Sequence, residues 1–380
     1  MKIYDVIILG AGASGLMCAS NISKKKSVLI IEGNDKVAKK LKISGGGKCN
    51  ITNVRVKVEN FDGDKEFLSY ALKKFSKESL LKFLERNRIP LEIRKSRYYF
   101  CQNSAQDVID ALLNSLKHHT IVTNCQIIEV LKNDELFSVI TNDTSYYAKN
   151  VVVATGGKSF SNIGATDIGL KIAKFFEHEV KEFTPALVGL TLQKEQFWMK
   201  ELSGLSCYVK IKIDDREIEE EMLFAHKGIS GPAILSASLY WRKGDLSIDF
   251  LPNISLKELV NGNKKLLSSS FNLPKRLAKA LLKCVNVEDI ECTKLRKKDI
   301  EKLDLLHNYS FSPAGNFGFT KAEVSRGGVI SQELHKESLE SKRVKGLYFI
   351  GEVVDITGEL GGYNFQWAFS SAYLCAKAMK

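Results

Sequence analysis

The sequence predicts an α/β protein built on a Rossmann-like nucleotide-binding domain whose two halves come from opposite ends of the chain. Three observations carry that expectation. A β-branched run, Asp5–Leu9, leads directly into Gly10-Ala11-Gly12-Ala13-Ser14-Gly15 and then into helical spacing. A second apolar run, Asn150–Ala154, also ends in glycines, at Gly156 and Gly157. A third, Gly346–Ile350, closes on Gly351 and Glu352 near the far end of the chain. The composition is globular, with 380 residues, 44% hydrophobic and 26% charged, which leaves room for more than one domain.

After the first glycines, Leu16, Met17, Ala19 and Ile22 recur at helical spacing, and Ser27–Ile31 forms a second strand ended by Glu32. This is a β-α-β unit of about 30 residues with an acid about 20 residues beyond the glycines. Gly10 permits the tight turn, Gly12 lets the backbone approach a pyrophosphate, and Gly15 lets helix and strand pack closely. The helix start at Ala13 and Ser14 then offers unpaired N–H groups and the positive end of its dipole to phosphate. Glu32 is placed to accept hydrogen bonds from adenosine ribose hydroxyls, and it would repel a 2′-phosphate. The unit by itself serves FAD and NAD alike.

Lys36–Asn53 reads KVAKKLKISGGGKCNITN. Three successive glycines suit neither a helix nor a strand interior, but they can wrap backbone N–H groups around anionic oxygens. A flexible surface loop is the competing reading; the position straight after the β-α-β unit favours a ligand. The candidate ligand residues are Lys40, Ser44, Gly45, Gly46, Gly47, Lys48, Cys49 and Asn50. Cys49 has no nearby His or C-x-x-C to make it a nucleophile, so a small buried side chain is its competing role. GAGASG followed by SGGGKCNITN resembles the BaiN-like, or aminoacetone-oxidase-type, family of FAD-binding flavoproteins. That family carries Arg where Lys48 stands, and lysine keeps the charge without the planar bidentate geometry.

Apolar spacing over Lys65–Asn87 predicts two helices separated near Ser76, and Gln106–Leu116 predicts another. Cys125–Leu131, Phe137–Ile140 and Tyr146–Tyr147 read as a small antiparallel meander. The resemblance implies that Ile127 sends backbone groups to the adenine. Asn150–Gly157 reads as a parallel strand buried on both faces, with Thr155, Gly156 and Gly157 at the carboxyl end, where open α/β sheets bind ligands. Gly164–Gly169 is similar to a family glycine segment in shortened form. Beyond Pro185, Leu187–Leu192, Val209–Ile213 and Leu246–Phe250 alternate as strands, and Ser255–Leu306 is Lys- and Leu-rich and reads as a helical bundle. The resemblance implies an inserted β-rich domain carrying that helical subdomain, together shaping a substrate cleft. Leu223–Pro232 matches a family motif apart from Ala225. Its His226 is a weak catalytic candidate, able to position a substrate or protonate a product near neutral pH; a structural hydrogen bond competes with that role.

The C-terminal return favours FAD over NAD. FAD is long, and a second strand–glycine–acid unit can reach its ribityl chain and flavin. Gly351, Glu352, Asp355, Gly361, Gly362, Tyr363 and Asn364 are the candidates there. Asp355 would accept from ribityl hydroxyls, and the start of the last helix, about Gln366–Met379, would face the flavin edge where negative charge collects on reduction.

The reading is thus a split Rossmann-like FAD-binding domain over 1–188 and 310–380, an inserted β-rich domain over 189–253, and a helical subdomain over 254–309. FAD is expected noncovalently, with NAD(P)H as a transient donor because no second complete GxGxxG occurs. The expected activity is oxidoreduction between NAD(P)H or an organic donor and a small-molecule acceptor or oxygen. The alternatives are a tRNA- or RNA-modifying flavoprotein and a FAD-binding module without turnover. None of the eight cysteines falls in C-x-x-C spacing, and the six histidines form no ligand motif, so no metal is expected. No apolar run approaches a membrane span, and the early stretch Val6–Leu9 is too short for a signal peptide, so a cytoplasmic protein is expected. The net charge of +12 admits phosphate-bearing partners. The scattered lysines lack the interleaved aromatics of a single-stranded nucleic-acid groove, so nucleic acid is not an expected partner.

Overall fold

A computed structural model describes residues 2–260 and 264–379. The chain divides into two compact units, Met1–Pro185 with Glu323–Lys380, and Ala186–Ala322.

The first unit is organised by one seven-stranded sheet. Its strands are β1 (Ile3–Leu9), β2 (Val28–Ile31), β3 (Thr120–Val122), β4 (Ile127–Asn133), β5 (Leu136–Thr141), β6 (Ser145–Val153) and β7 (Leu347–Phe349). The order is β3-β2-β1-β6-β5-β4, with β7 also on β6. Helix α1 (Ala13–Asn21) links β1 to the parallel β2, in register from Val6 opposite Val28 to Leu9 opposite Ile31. All four residues of β2 are buried, as are the last four of β1, which is the all-apolar pattern of a parallel strand covered on both faces. The sequence reading separates a meander strand at Tyr146–Tyr147 from a core strand at Asn150. In the structure they are one strand. The first part of β6, Ser145–Ala148, pairs antiparallel with β5, and its last three residues, Val151–Val153, pair parallel with β7. Alternation and continuous burial therefore follow one another along the same strand, which local periodicity reads as two.

Between the glycine loop and β3 lie helices Lys65–Lys74 and Lys77–Arg86, N-capped by Asp64 and Ser76. The last helix, α2 (Tyr363–Ala378), starts three residues earlier than the spacing predicts, because Gly362 rather than a polar side chain occupies its N-cap. It packs within the same apolar core as α1 and the sheet.

His178 sits in this core, 4% exposed. Its Nε2 lies 2.7 Å from Ser341 Oγ and its Nδ1 3.2 Å from the Ala173 carbonyl. Burial holds the imidazole below the ordinary histidine value. The folded state thus favours the neutral ring, and the unfolded chain takes up a proton first as pH falls. The stability contributed is complete above about pH 6.5 and declines below it, until the folded ring is protonated too. His119, depressed by burial in the same way, adds a slope of the same sign. The unfolding temperature should therefore fall as the pH drops below about 6.5, and His178→Gln should flatten that fall. An unaltered pH profile in the variant would contradict this assignment.

The second unit holds a seven-stranded antiparallel sheet, in the order Tyr309–Phe311, Leu246–Asp249, Ser206–Ile213, Arg216–Ala225, Gly228–Ser230, Leu190–Thr191, Gly315–Asn316. The strand expected over Leu187–Leu192 is reduced to Leu190–Thr191. Leu187 adopts a left-handed backbone, and the Val188 N–H donates to Ser238 Oγ instead of a neighbouring strand. The Lys- and Leu-rich run forms the short helices Leu256–Val260, Leu267–Ser270, Lys275–Cys284 and Lys297–Asp304; Asn261–Asn263 lie outside the described residues. These helices share one apolar core with the sheet, so the segments separated at 253/254 are one packed body.

Candidate dinucleotide site

The turn from β1 into α1 is dictated by what a side chain would meet. A Cβ on Gly10 would lie 2.6 Å from the Ala154 carbonyl oxygen, and one on Gly15 2.0 Å from the Gly10 carbonyl oxygen. A Cβ on Gly12 would meet nothing within 4 Å, and its backbone is extended in a region open to any residue. Gly10 and Gly15 are therefore glycines for packing, whereas Gly12 faces open space at the N-cap of α1. Ala13 and Ser14 form the first turn, with Ser14 buried. This matches a helix start that receives an anion on its backbone N–H groups.

Glu32 follows β2. One carboxylate oxygen accepts the Ala11 N–H at 2.9 Å; the other accepts the Asn34 N–H at 2.9 Å and Asn34 Nδ2 at 2.8 Å. The acid thus fastens the glycine turn to the loop after β2, using three of about four acceptor positions and leaving about one for a hydroxyl. Ile127 opens β4 opposite Thr141, and its neighbour Gln126 donates to the Gly33 carbonyl at 2.9 Å. Ile127 is thereby held beside the end of β2.

The second glycine loop, Ser44–Gly47, is a short 3-10 turn with Gly45 and Gly46 in left-handed conformations, and open space lies above Gly46. Ser44 Oγ donates back to the Leu41 carbonyl. Lys48 does not project freely: its Nζ donates to the Gln102 carbonyl at 2.5 Å. Cys49 is fully buried. The sulfur of Cys101 beside it, together with burial, pushes its thiol well above the ordinary range, so it stays protonated at neutral pH. A buried, protonated thiol is a poor nucleophile.

Lys40 reaches across the fold to Glu352, 2.8 Å away, and the other Glu352 oxygen accepts the Ser325 N–H at 2.8 Å. Ser325 Oγ in turn accepts the N–H groups of Lys158 and Ser159 at 2.8 and 2.9 Å. A Cβ on Gly157 would strike both Ser325 Oγ and Glu352 Oε1. The glycine after β6 is thus required by this network, while Gly156 next to it opens onto space. Ser325 is a residue that sequence reasoning misses as part of the site, since one serine in a glycine-flanked run carries no distinguishing pattern.

The two chain ends meet directly. Gly351 lies against Ser14, its N–H donates to Ser371 Oγ, and its carbonyl accepts Trp367 Nε1 at 3.0 Å. Thr52 Oγ1 donates to Gln366 Oε1 at 2.9 Å, and Asn53 Nδ2 donates to the Gly361 carbonyl at 3.2 Å. Gln366, fully buried, is also missed, since nothing local separates it from the other polar residues of this helix, such as Asn364, Ser370 and Ser371. The other C-terminal candidates are engaged by protein. Asp355 pairs with Lys181 at 2.6 Å, Tyr363 donates its hydroxyl to the Arg55 carbonyl, and Asn364 braces Gly358 through both its amide atoms. The side chains of Tyr363 and Asn364 are thus taken up by hydrogen bonds within the protein. His226 belongs to the other unit and is exposed at the turn between Arg216–Ala225 and Gly228–Ser230; no described residue hydrogen-bonds its side chain.

Three buried side-chain atoms have no hydrogen-bond partner among the described residues, Asn50 Oδ1, Thr155 Oγ1 and His119 Nδ1, and the first two belong to the glycine-flanked segments that the sequence marks as candidates for a ligand. Buried polar atoms are nearly always satisfied. Together with the open backbone at Gly12, Gly46 and Gly156, those first two fit a long, polar, phosphate-bearing group such as FAD. No group of three or more His, Cys, Asp or Glu among the described residues is placed to hold a metal, and no described helix is long and apolar enough to cross a membrane.

The chain matches the family model described as HI0933-like protein Rossmann domain over residues 4–378. It is 35% identical over 388 residues to a ribosomal RNA dihydrouridine synthase of Haemophilus influenzae, covering 97% of each chain. It is 34% identical over 392 residues to the protein of that name from Escherichia coli, covering 99% of this chain and 98% of that one. A 3-dehydro-bile acid delta(4,6)-reductase of Clostridium scindens is 28% identical, with 98% of each covered. Among solved structures, a quinol-fumarate reductase with menaquinol superposes with a TM-score of 0.53 at 14% identity, over 100% of this chain and 71% of that one. A 3-ketosteroid-delta4-(5alpha)-dehydrogenase of Rhodococcus jostii RHA1 gives 0.50 at 13% identity, over 99% and 97%. These two likenesses speak to the fold.

Proposed function

Because the chain belongs to the HI0933-like Rossmann-domain family of FAD-binding oxidoreductases, we propose that it reduces the C5–C6 double bond of uridine within ribosomal RNA, with NAD(P)H as electron donor. The observation that carries this reading is end-to-end similarity, at about a third identity, to two proteins named for that activity. The net charge of +12 agrees with a polyanionic substrate. This takes up the RNA-modifying alternative in place of a small-molecule acceptor; the expectation that nucleic acid is not a partner rested on the absence of aromatics among the lysines. That pattern marks single-stranded grooves, whereas a folded RNA can be held through its phosphates.

Bound FAD would supply the hydride for such a reduction. The chain's own part is placement. The α1 N-terminus and Gly12 would take the pyrophosphate, the Glu32–Gln126–Ile127 corner the adenosine end, and Asn50 and Thr155 would gain partners for atoms that lack them. The positive end of α2 favours negative charge at its start. The uracil double bond is conjugated to a carbonyl, so hydride addition at C6 is followed by a proton at C5. The bile-acid relative is also named for reducing double bonds of an oxo compound, and this supports a second reading, in which a small enone is the acceptor.

The test is mass spectrometry of nucleosides from ribosomal RNA incubated with the FAD-loaded protein and NADPH or NADH. Uridine in the RNA should gain two hydrogens, read as a nucleoside two mass units heavier. Reduction of small enones with no dihydrouridine in any ribosomal RNA would overturn the RNA reading in favour of the second.

A further inference from the structure

The helices of the second unit carry a charge that the rest of that unit lacks. Residues 264–302 contain eleven Lys or Arg against five Asp or Glu, whereas residues 186–263 contain nine against eleven. About a tenth of the chain thus accounts for half of its net charge of +12. From Lys264 to Val287 there is no acidic residue.

The structure arranges this charge. Helix Lys275–Cys284 buries Leu277, Ala278, Leu281 and Leu282 in the core of the unit. On its exposed side stand Lys275, Lys279 and Lys283, at i, i+4 and i+8, with Arg276 beside them. None of the four side chains makes an ion pair or hydrogen bond with a described residue. Like charges at i, i+4 destabilise a helix. Lys275 and Arg276 also occupy its first turn, where the dipole disfavours cations, and the N-cap, Pro274, provides no side-chain acceptor. A row kept against both effects is suited to an external polyanion. Its steps of about 6 Å along the axis are on the scale of successive phosphates in a nucleic-acid strand.

We propose that Lys275, Arg276, Lys279 and Lys283 form a docking surface for the phosphate backbone of folded RNA; this rests on the reading of ribosomal RNA as the substrate. An anionic membrane is the weaker match. A surface-bound amphipathic helix needs an apolar face free to enter lipid, and here that face is consumed by the protein core. Recognition through phosphates is independent of sequence and dependent on salt. The row therefore supplies affinity and orientation, and the choice of uridine lies elsewhere.

The experiment compares the full-length, FAD-loaded wild type with a Lys275→Gln/Lys279→Gln/Lys283→Gln variant. Gln keeps helix propensity while removing charge. Binding to deproteinised bacterial ribosomal RNA is measured across a salt series. The variant should bind at least about 10-fold more weakly at moderate salt, and its slope of log K against log salt should be shallower by about 2. Its flavin content and melting temperature should match the wild type. A control variant with Lys194, Lys243 and Lys321 changed to Gln should lose far less. Wild-type affinity and slope in the helix variant would overturn the proposal. So would loss of binding to phosphatidylglycerol vesicles with RNA binding intact. If the wild type forms no dihydrouridine yet the helix variant shows the shallower slope, the substrate reading falls and the docking surface stands. If the wild type forms dihydrouridine and the variant binds RNA unchanged, the docking surface alone falls.

Discussion

Gly12→Val should yield a folded protein that purifies without bound flavin. The two halves of that expectation have separate physical causes. The fold is spared because the Gly12 backbone is extended and a Cβ there meets nothing within 4 Å. The flavin is lost because the open space is where the backbone must approach the pyrophosphate, and a branched side chain fills it. Affinity for FAD should fall by on the order of 100-fold or more, about 3 kcal/mol. The comparison that isolates the effect is Gly15→Val. There a Cβ would lie 2.0 Å from the Gly10 carbonyl oxygen, so α1 can no longer pack on the turn and the melting temperature should collapse along with flavin content. Absorbance near 450 nm per protein and the thermal melt of each apoprotein are the measurements. Full flavin occupancy in Gly12→Val would remove the dinucleotide assignment at this turn.

Gly362→Val should disconnect the two chain ends. Gly362 lies at φ +88°, a backbone conformation that a β-branched residue adopts only with strain. A Cβ there would sit 2.6 Å from the backbone N and Cα of Thr52. The strand holding Thr52 would have to retreat from α2, stretching the Thr52–Gln366 hydrogen bond and leaving a fully buried amide underpartnered. Backbone strain and overpacking together should cost about 3 kcal/mol or more, and flavin should be lost because both segments are candidates to hold it. Thr52→Val is the milder companion: it removes only the hydroxyl, and destabilisation of about 1–3 kcal/mol is expected from the orphaned Gln366. Denaturant unfolding checks both. A Gly362→Val protein as stable as the parent would mean that this close approach contributes nothing to the fold.

Much of the architecture was legible in the chain because it is encoded locally. The β-α-β unit announces itself through a run of apolar residues, three glycines at fixed spacing and an acid after the next strand, all within a segment that folds on itself. The glycines at Gly156, Gly157, Gly351, Gly361 and Gly362 mark strand ends and a helix start by the same local logic. Where the local signal misled, a longer-range partner had changed the meaning of a segment. Tyr146 and Asn150 read as separate strands because β6 pairs with β5 along its first part and with β7 along its last. Leu187 reads as a strand residue, yet Ser238 takes the next backbone N–H.

By itself, then, the sequence determined the α/β class, the glycine turn between β1 and α1 and the presence of a second glycine unit at the other end of the chain, since spacing and periodicity are properties of neighbours. Only the tertiary structure decided which polar groups are already engaged. Lys40 meets Glu352 across 312 positions of sequence, Asp355 is claimed by Lys181, and Asn364 is spent on Gly358. Asn50 Oδ1 and Thr155 Oγ1 are left with no partner among the described residues. Satisfaction of a buried polar atom depends on what the whole fold brings within about 3 Å of it, and no local pattern contains that information.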